Sequence, residues 1–211
     1  MAALEADYME GLRLFYLKKY DEAAAALTRT AEAGDMKAQH FLAMMYENGN
    51  GIAQDLEKAA YWYGRTAEQG DREAQLTYAM LCALGKGVEP DLAAACHWAV
   101  CSLHQGNAKA IQTLHIIRAQ ASEEAAAAVN AFKQAHREGK LDEAVVQVRR
   151  AAELGDTDAM LAYAQLLIAG KGVPENREEA RLWCRDAAME GSEAAQKLLA
   201  ELEGASQAPE A

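Results

Sequence analysis

The strongest constraint on this chain is that it repeats itself. A shift of 36 residues lays Asp35 on Asp71 and matches Ala38 with Ala74, Gln39 with Gln75, Ala43 with Ala79, Met44 with Met80, Gly49 with Gly85 and Gly51 with Gly87. The match continues without a gap through Asp55/Asp91, Leu56/Leu92, Ala59/Ala95, Trp62/Trp98, Gln69/Gln105 and Gly70/Gly106. A period of this length marks a solenoid, because one unit is too small to bury its own apolar face and must stack on its neighbours.

Within the unit, Ala38, Leu42, Met45 and Tyr46 keep the three-and-four spacing of one helical face. Gly49 and Gly51 then end that helix, since glycine takes the positive φ of a C-cap or tight turn. Asp55 is suited to cap a second helix, whose buried face is Ala59, Trp62, Tyr63, Thr66 and Ala67, and Gly70 closes it. Small residues flank the turns between units, at Ala31/Ala38, Ala67/Ala74, Ala152/Ala159 and Ala188/Ala195, and let consecutive helices approach closely.

A longer shift, Gly34 onto Gly155, superposes Asp21-Glu22-Ala23 on Asp142-Glu143-Ala144, Asp35 on Asp156, Gly49 and Gly51 on Gly170 and Gly172, Trp62 on Trp183 and Gly70 on Gly191. The expected fold is therefore all-α, an αα-superhelix (solenoid) of helix-turn-helix repeats with about twelve helices. Residues 1–120 form a first array ending in a lone capping helix, Asn107 to Gln120. Ser122, with Glu123 and Glu124 in its first turn, opens a new helix. Residues 121–203 form a second, shorter array capped by Ser192 to Leu202. Residues 204–211 read as a disordered tail. Trp62, Trp98 and Trp183 are predicted to occupy equivalent buried positions.

The unit resembles that of the Sel-one-like repeat family, relatives of the tetratricopeptide repeats. The resemblance rests on Ala38, Leu42, Tyr46, Gly49, Gly51, Asp55, Lys58, Ala59, Trp62, Tyr63, Ala67, Glu68 and Gly70. Ala43, Ile52 and Thr66 depart from the family pattern by small changes. The resemblance implies an adaptor or scaffold that binds other proteins. It also implies that the first helix of each unit lines a concave inner side facing the partner. Some secreted members staple neighbouring helices with paired cysteines; the matching places here are Ala31/Ala38, Ala67/Ala74 and Ala188/Ala195, so the lactamase-like activity reported for that subgroup is not carried over.

Composition narrows the function further. Three prolines argue against sheet, and the apolar half of the chain is rich in alanine, the best helix former. Cys82, Cys96, Cys101 and Cys184 share no repeat position and do not read as a disulfide framework. A formal charge of −11 disfavours nucleic acid and anionic membrane surfaces. No apolar run approaches the roughly 18 residues of a membrane span, and no charged segment followed by an apolar one opens the sequence. The expected compartment is the cytoplasm, or a secreted or periplasmic one if a leader was removed.

Candidate chemistry is sparse. His97, Cys101 and His104 fall at i, i+4 and i+7 of one helix, side chains that bind zinc or copper, yet a fourth ligand is missing and the stripe reads as surface. The Gly-x-Gly turns follow helices rather than strands, so they read as repeat turns and not as phosphate loops. No cofactor and no catalytic set is expected; a metal-dependent or lactamase-like hydrolase is the competing class. Subtracting the core positions from the first helix of each unit leaves Lys37, Phe41, Met44 and Asn48, then Glu73, Thr77, Met80 and Leu84, then Lys109, Thr113 and Ile116. Phe41, Met44, Met80, Leu84 and Ile116 would make an apolar stripe for a protein or peptide partner, or else pack into the core. The second array offers only Asp158, Ala162 and Gln165 at the same places.

Overall fold

The computed structural model describes residues 2–205, with side chains from residue 5 to residue 204. The described residues are helical throughout, apart from turns: α1 (Ala2–Tyr16), α2 (Tyr20–Glu32), α3 (Met36–Asn48), α4 (Leu56–Glu68), α5 (Arg72–Leu84), α6 (Leu92–His104), α7 (Lys109–Arg137), α8 (Leu141–Glu153), α9 (Thr157–Ala169), α10 (Arg177–Met189) and α11 (Glu193–Ala205). The fold is all-α, an αα-solenoid of helix-turn-helix repeats. It divides into two units between Ile117 and Arg118, inside α7.

The repeat is punctuated as its chemistry requires. Asp35, Asp71 and Asp156 each turn a carboxylate back onto the backbone N–H three residues on, at 2.8, 2.7 and 2.8 Å, satisfying a donor that the first helical turn leaves without a partner. Asp55 does the same for α4 through Lys58 N–H at 3.0 Å. Gly49, Gly85 and Gly170 end the first helices in the left-handed conformation, with φ of 65, 63 and 60°.

In the first unit, successive helices from α1 to α6 pack in chain order. Leu27, Leu42, Met45, Trp62, Tyr63 and Leu81 form one cluster, and Cys82, Cys96, Leu114 and Ile117 carry the core on into α7. In the second unit, Val145, Val148, Met160, Tyr163, Leu167, Cys184 and Leu202 form a single cluster with Ala128 of α7. The predicted face Ala59, Trp62, Tyr63, Thr66 and Ala67 is buried in full.

Three expectations are corrected. The break at Ser122 does not occur: α7 runs through it for 29 residues, and the Ser122 hydroxyl donates back to the Ala119 carbonyl at 3.0 Å instead of capping a new helix. That fusion leaves eleven helices among the described residues. Trp62 is 8% exposed, but Trp98 and Trp183 are only half-buried. The difference tracks one repeat position. Leu42 belongs to the cluster around Trp62, whereas its equivalents Tyr78 and Tyr163 meet Trp98 and Trp183 edge-on, with ring centroids 5.9 and 5.8 Å apart. Finally, Gly204 and Ala205 belong to α11, and the rest of the expected tail lies outside the described residues.

Candidate docking surface

On the first helices the core takes positions 38, 42 and 45 in α3, where Ala38, Leu42 and Met45 are all buried. A helix advances about 100° per residue, so the residues one place earlier look away from that core. Met44 is 39% exposed, its repeat equivalent Met80 is 47% exposed, and the next equivalent, Ile116, is 55% exposed. Leu84 is exposed as well. Lys37, Glu73 and Lys109, again equivalents of one another, are exposed, while Thr77 and Thr113 are half-buried. These residues all belong to the first unit.

Phe41 behaves differently from the rest of the predicted stripe. It is half-buried, packs against the cluster beneath it, and meets Phe15 of α1 edge-on at 5.0 Å between centroids. Beside it lies a shallow pocket of about 180 Å³ lined by Tyr8, Met36, Lys37, His40, Phe41 and Asp71. His40 Nδ1 lies 3.5 Å from Asp71 Oδ1, and the imidazole stands edge-on to Tyr63. Burial, with the nearby Asp35 charge second, raises the Tyr8 phenol above its usual range, so this wall is a neutral donor. Sequence reasoning picked Lys37 and Phe41 but missed Tyr8, His40 and Asp71. The one usable signal was that His40 and Phe41 break the repeat, facing Leu76 and Thr77 one unit on.

The other candidate cluster does not assemble into a centre. His97 Nε2 and Cys101 Sγ approach to 3.6 Å on α6, with both histidines of the set exposed. Among the described residues, no group of three or more His, Cys, Asp or Glu side chains is arranged to hold a metal ion. In the second unit, Asp158 and Gln165 are exposed and Ala162 is half-buried, so the matching face is polar and small. No helix among the described residues is long and apolar enough to cross a membrane.

Comparison with known proteins agrees with this architecture. The Sel1 repeat model matches residues 37–71, 72–107 and 157–192. A Sel1 repeat protein from Oxalobacter formigenes is 26% identical over 96% of this chain and 79% of its own, with a TM-score of 0.47. A protective antigen of uropathogenic Escherichia coli displaying an SLR fold is 24% identical, with a TM-score of 0.51; the match covers 98% of this chain and 43% of the antigen. The cysteine rich protein B of Helicobacter pylori is 20% identical over 52% of this chain and 93% of its own, with a TM-score of 0.42. No curated protein matches the chain. With three matched repeats spanning half of its residues, and the helix, glycine turn, helix unit visible in its fold, this chain belongs to the Sel1 repeat family.

Proposed function

We propose that this protein is a non-catalytic interaction module, an adaptor or scaffold that docks a protein or peptide on the first-helix face of its first unit. Sel1 repeats form a protein-interaction scaffold fold. The observation that carries the assignment to this face is the exposure of Met44, Met80 and Ile116, three large apolar side chains at one repeat position on three successive first helices. Scattered apolar residues on a surface need no explanation, but a row of them in register does. Methionine suits such a row, since its unbranched thioether adapts to a partner's contours. The acidic balance favours a protein partner over nucleic acid or an anionic lipid surface.

The test is the triple substitution M44A/M80A/I116A, compared with Q165A. Because the three side chains stand at the margin of the core, 39, 47 and 55% exposed, the triple variant should stay folded with only a modest drop in melting temperature and lose capture of the protein's partner in its native source. Q165A should keep both. Retained capture by the triple variant would move the docking site elsewhere, and a collapse in melting temperature would reassign the row to packing.

A further inference from the structure

We infer that the segment docking on this face carries charges in the order acid, base, acid, in register with one apolar contact per repeat. The inference rests on the docking reading above and adds the partner's chemistry to it. Lys37, Glu73 and Lys109 occupy one repeat position on α3, α5 and α7, and all three are exposed. Each stands seven residues before Met44, Met80 or Ile116, two helical turns along the same face. The three helices therefore present two parallel rows, one reading plus, minus, plus and the other apolar throughout.

Among the described residues no ion pair engages the Lys37 or Lys109 ammonium. Glu73 has Arg72 Nε at 3.8 Å, but Arg72 also reaches the Gln105 carbonyl with Nη1 at 3.4 Å, and both partners of the pair are more than half exposed. So open a pair leaves Glu73 available to an incoming cation. A segment crossing the three helices with the order acid, base, acid meets opposite charge at each point, whereas the reverse order meets like charge at each point. The order is symmetric, so it holds for either direction of the partner chain. It also separates this site from what net charge alone favours, because a chain at −11 draws any polycation.

The probes are synthetic peptides on one apolar scaffold of leucine and methionine, with charges ordered Glu–Lys–Glu or Lys–Glu–Lys, or with lysine at all three places, each made with a series of spacings. Binding to the full chain is read by fluorescence anisotropy. At low salt the best Glu–Lys–Glu peptide should bind about tenfold tighter than Lys–Glu–Lys, which differs from it at three exposed pairs, and tighter by a smaller factor than the all-lysine peptide, which keeps the central lysine and differs at two. The variant K37E/E73K/K109E, with an unchanged melting temperature, should invert the preference, and added salt should shrink it. Equal affinity for the peptides, no binding by any of them, tighter binding of the all-lysine peptide, or a preference that survives the charge reversal would overturn the inference. If M44A/M80A/I116A loses its native partner while K37E/E73K/K109E keeps it, the charge order fails and the docking face stands. If both variants keep the partner, the docking face fails too.

Discussion

The side-chain amide of Gln69 donates to Oε1 of Gln39 at 2.6 Å, and one repeat later Gln105 makes the same bond to Gln75 at 2.8 Å. Each inner glutamine in turn donates to a backbone carbonyl of the preceding helix, Gln39 to Ala31 at 2.9 Å and Gln75 to Ala67 at 3.2 Å. Both inner glutamines are buried, so these bonds satisfy groups that water cannot reach. The second unit abandons the device: Met160 and Glu190 stand at the positions of Gln39 and Gln69, and Glu190 pairs with Arg118. Gln39→Met keeps the volume but removes one donor from the Ala31 carbonyl, which keeps the Gly34 N–H at 3.0 Å, and leaves the exposed Gln69 amide to water. It should cost about 0.5–1.5 kcal/mol in a urea titration, the net worth of one hydrogen bond.

Two glycines with the same backbone sign should respond differently to alanine. Gly106 has φ +79° and open space around a built Cβ, so Gly106→Ala carries only the left-handed penalty of about 1–2 kcal/mol. At Gly87, φ +74°, the Cβ would stand 2.0 Å from the Leu56 carbonyl oxygen, a backbone atom that a side-chain rotation cannot clear. Gly87→Ala should therefore destabilise well beyond Gly106→Ala. Equal midpoints in denaturant would refute this close approach.

The tryptophans offer a spectroscopic check on burial. Trp62→Ala should cost about 3–5 kcal/mol as a large-to-small core change, and Trp98→Ala less, since its ring is already partly exposed. In chains retaining a single tryptophan, acrylamide should quench Trp98 and Trp183 more strongly than Trp62.

Alkali should loosen the protein in a defined window. Burial raises the Cys82 and Cys184 thiols, and burial together with the bond to Glu47 at 2.7 Å pushes the Tyr63 phenol far up. Folded pKa values above unfolded ones mean that the neutral forms stabilise the fold below the unfolded values, about 8.5 for thiols and about 10 for phenols, and that this stability is lost as pH rises beyond them. The melting temperature should fall from about pH 8 to about pH 11, and Tyr63→Phe should flatten the upper part of that decline.

Much of the architecture is legible in the sequence, because periodic Gly, Ala and Trp report a backbone that repeats its own turns. The α6–α7 region is less so: Ser122-Glu123-Glu124 carries every local mark of a helix start, and only the absence of Gly or Pro nearby hints that the helix continues through it. The docking face sits at the limit of periodicity. Met44 and Met45 are the same residue type one step apart, and a 100° rotation sends one outward and the other into the core. Phe41 belongs to the same apolar stripe by spacing, yet its ring meets Phe15 of α1, a contact the 36-residue period does not register. His40 of α3 meets Asp71, in the turn between α4 and α5, a contact no local pattern announces.

The most direct measurement is site-specific photo-crosslinking in the native source, with a benzophenone amino acid in place of Met80, Tyr61 or Gln165. All three positions are exposed; Tyr61 lies on the second helix of its repeat and Gln165 on the polar face of the second unit. The account predicts a discrete protein adduct from position 80 and none from positions 61 and 165. Adducts from 61 or 165 with none from 80 would contradict it.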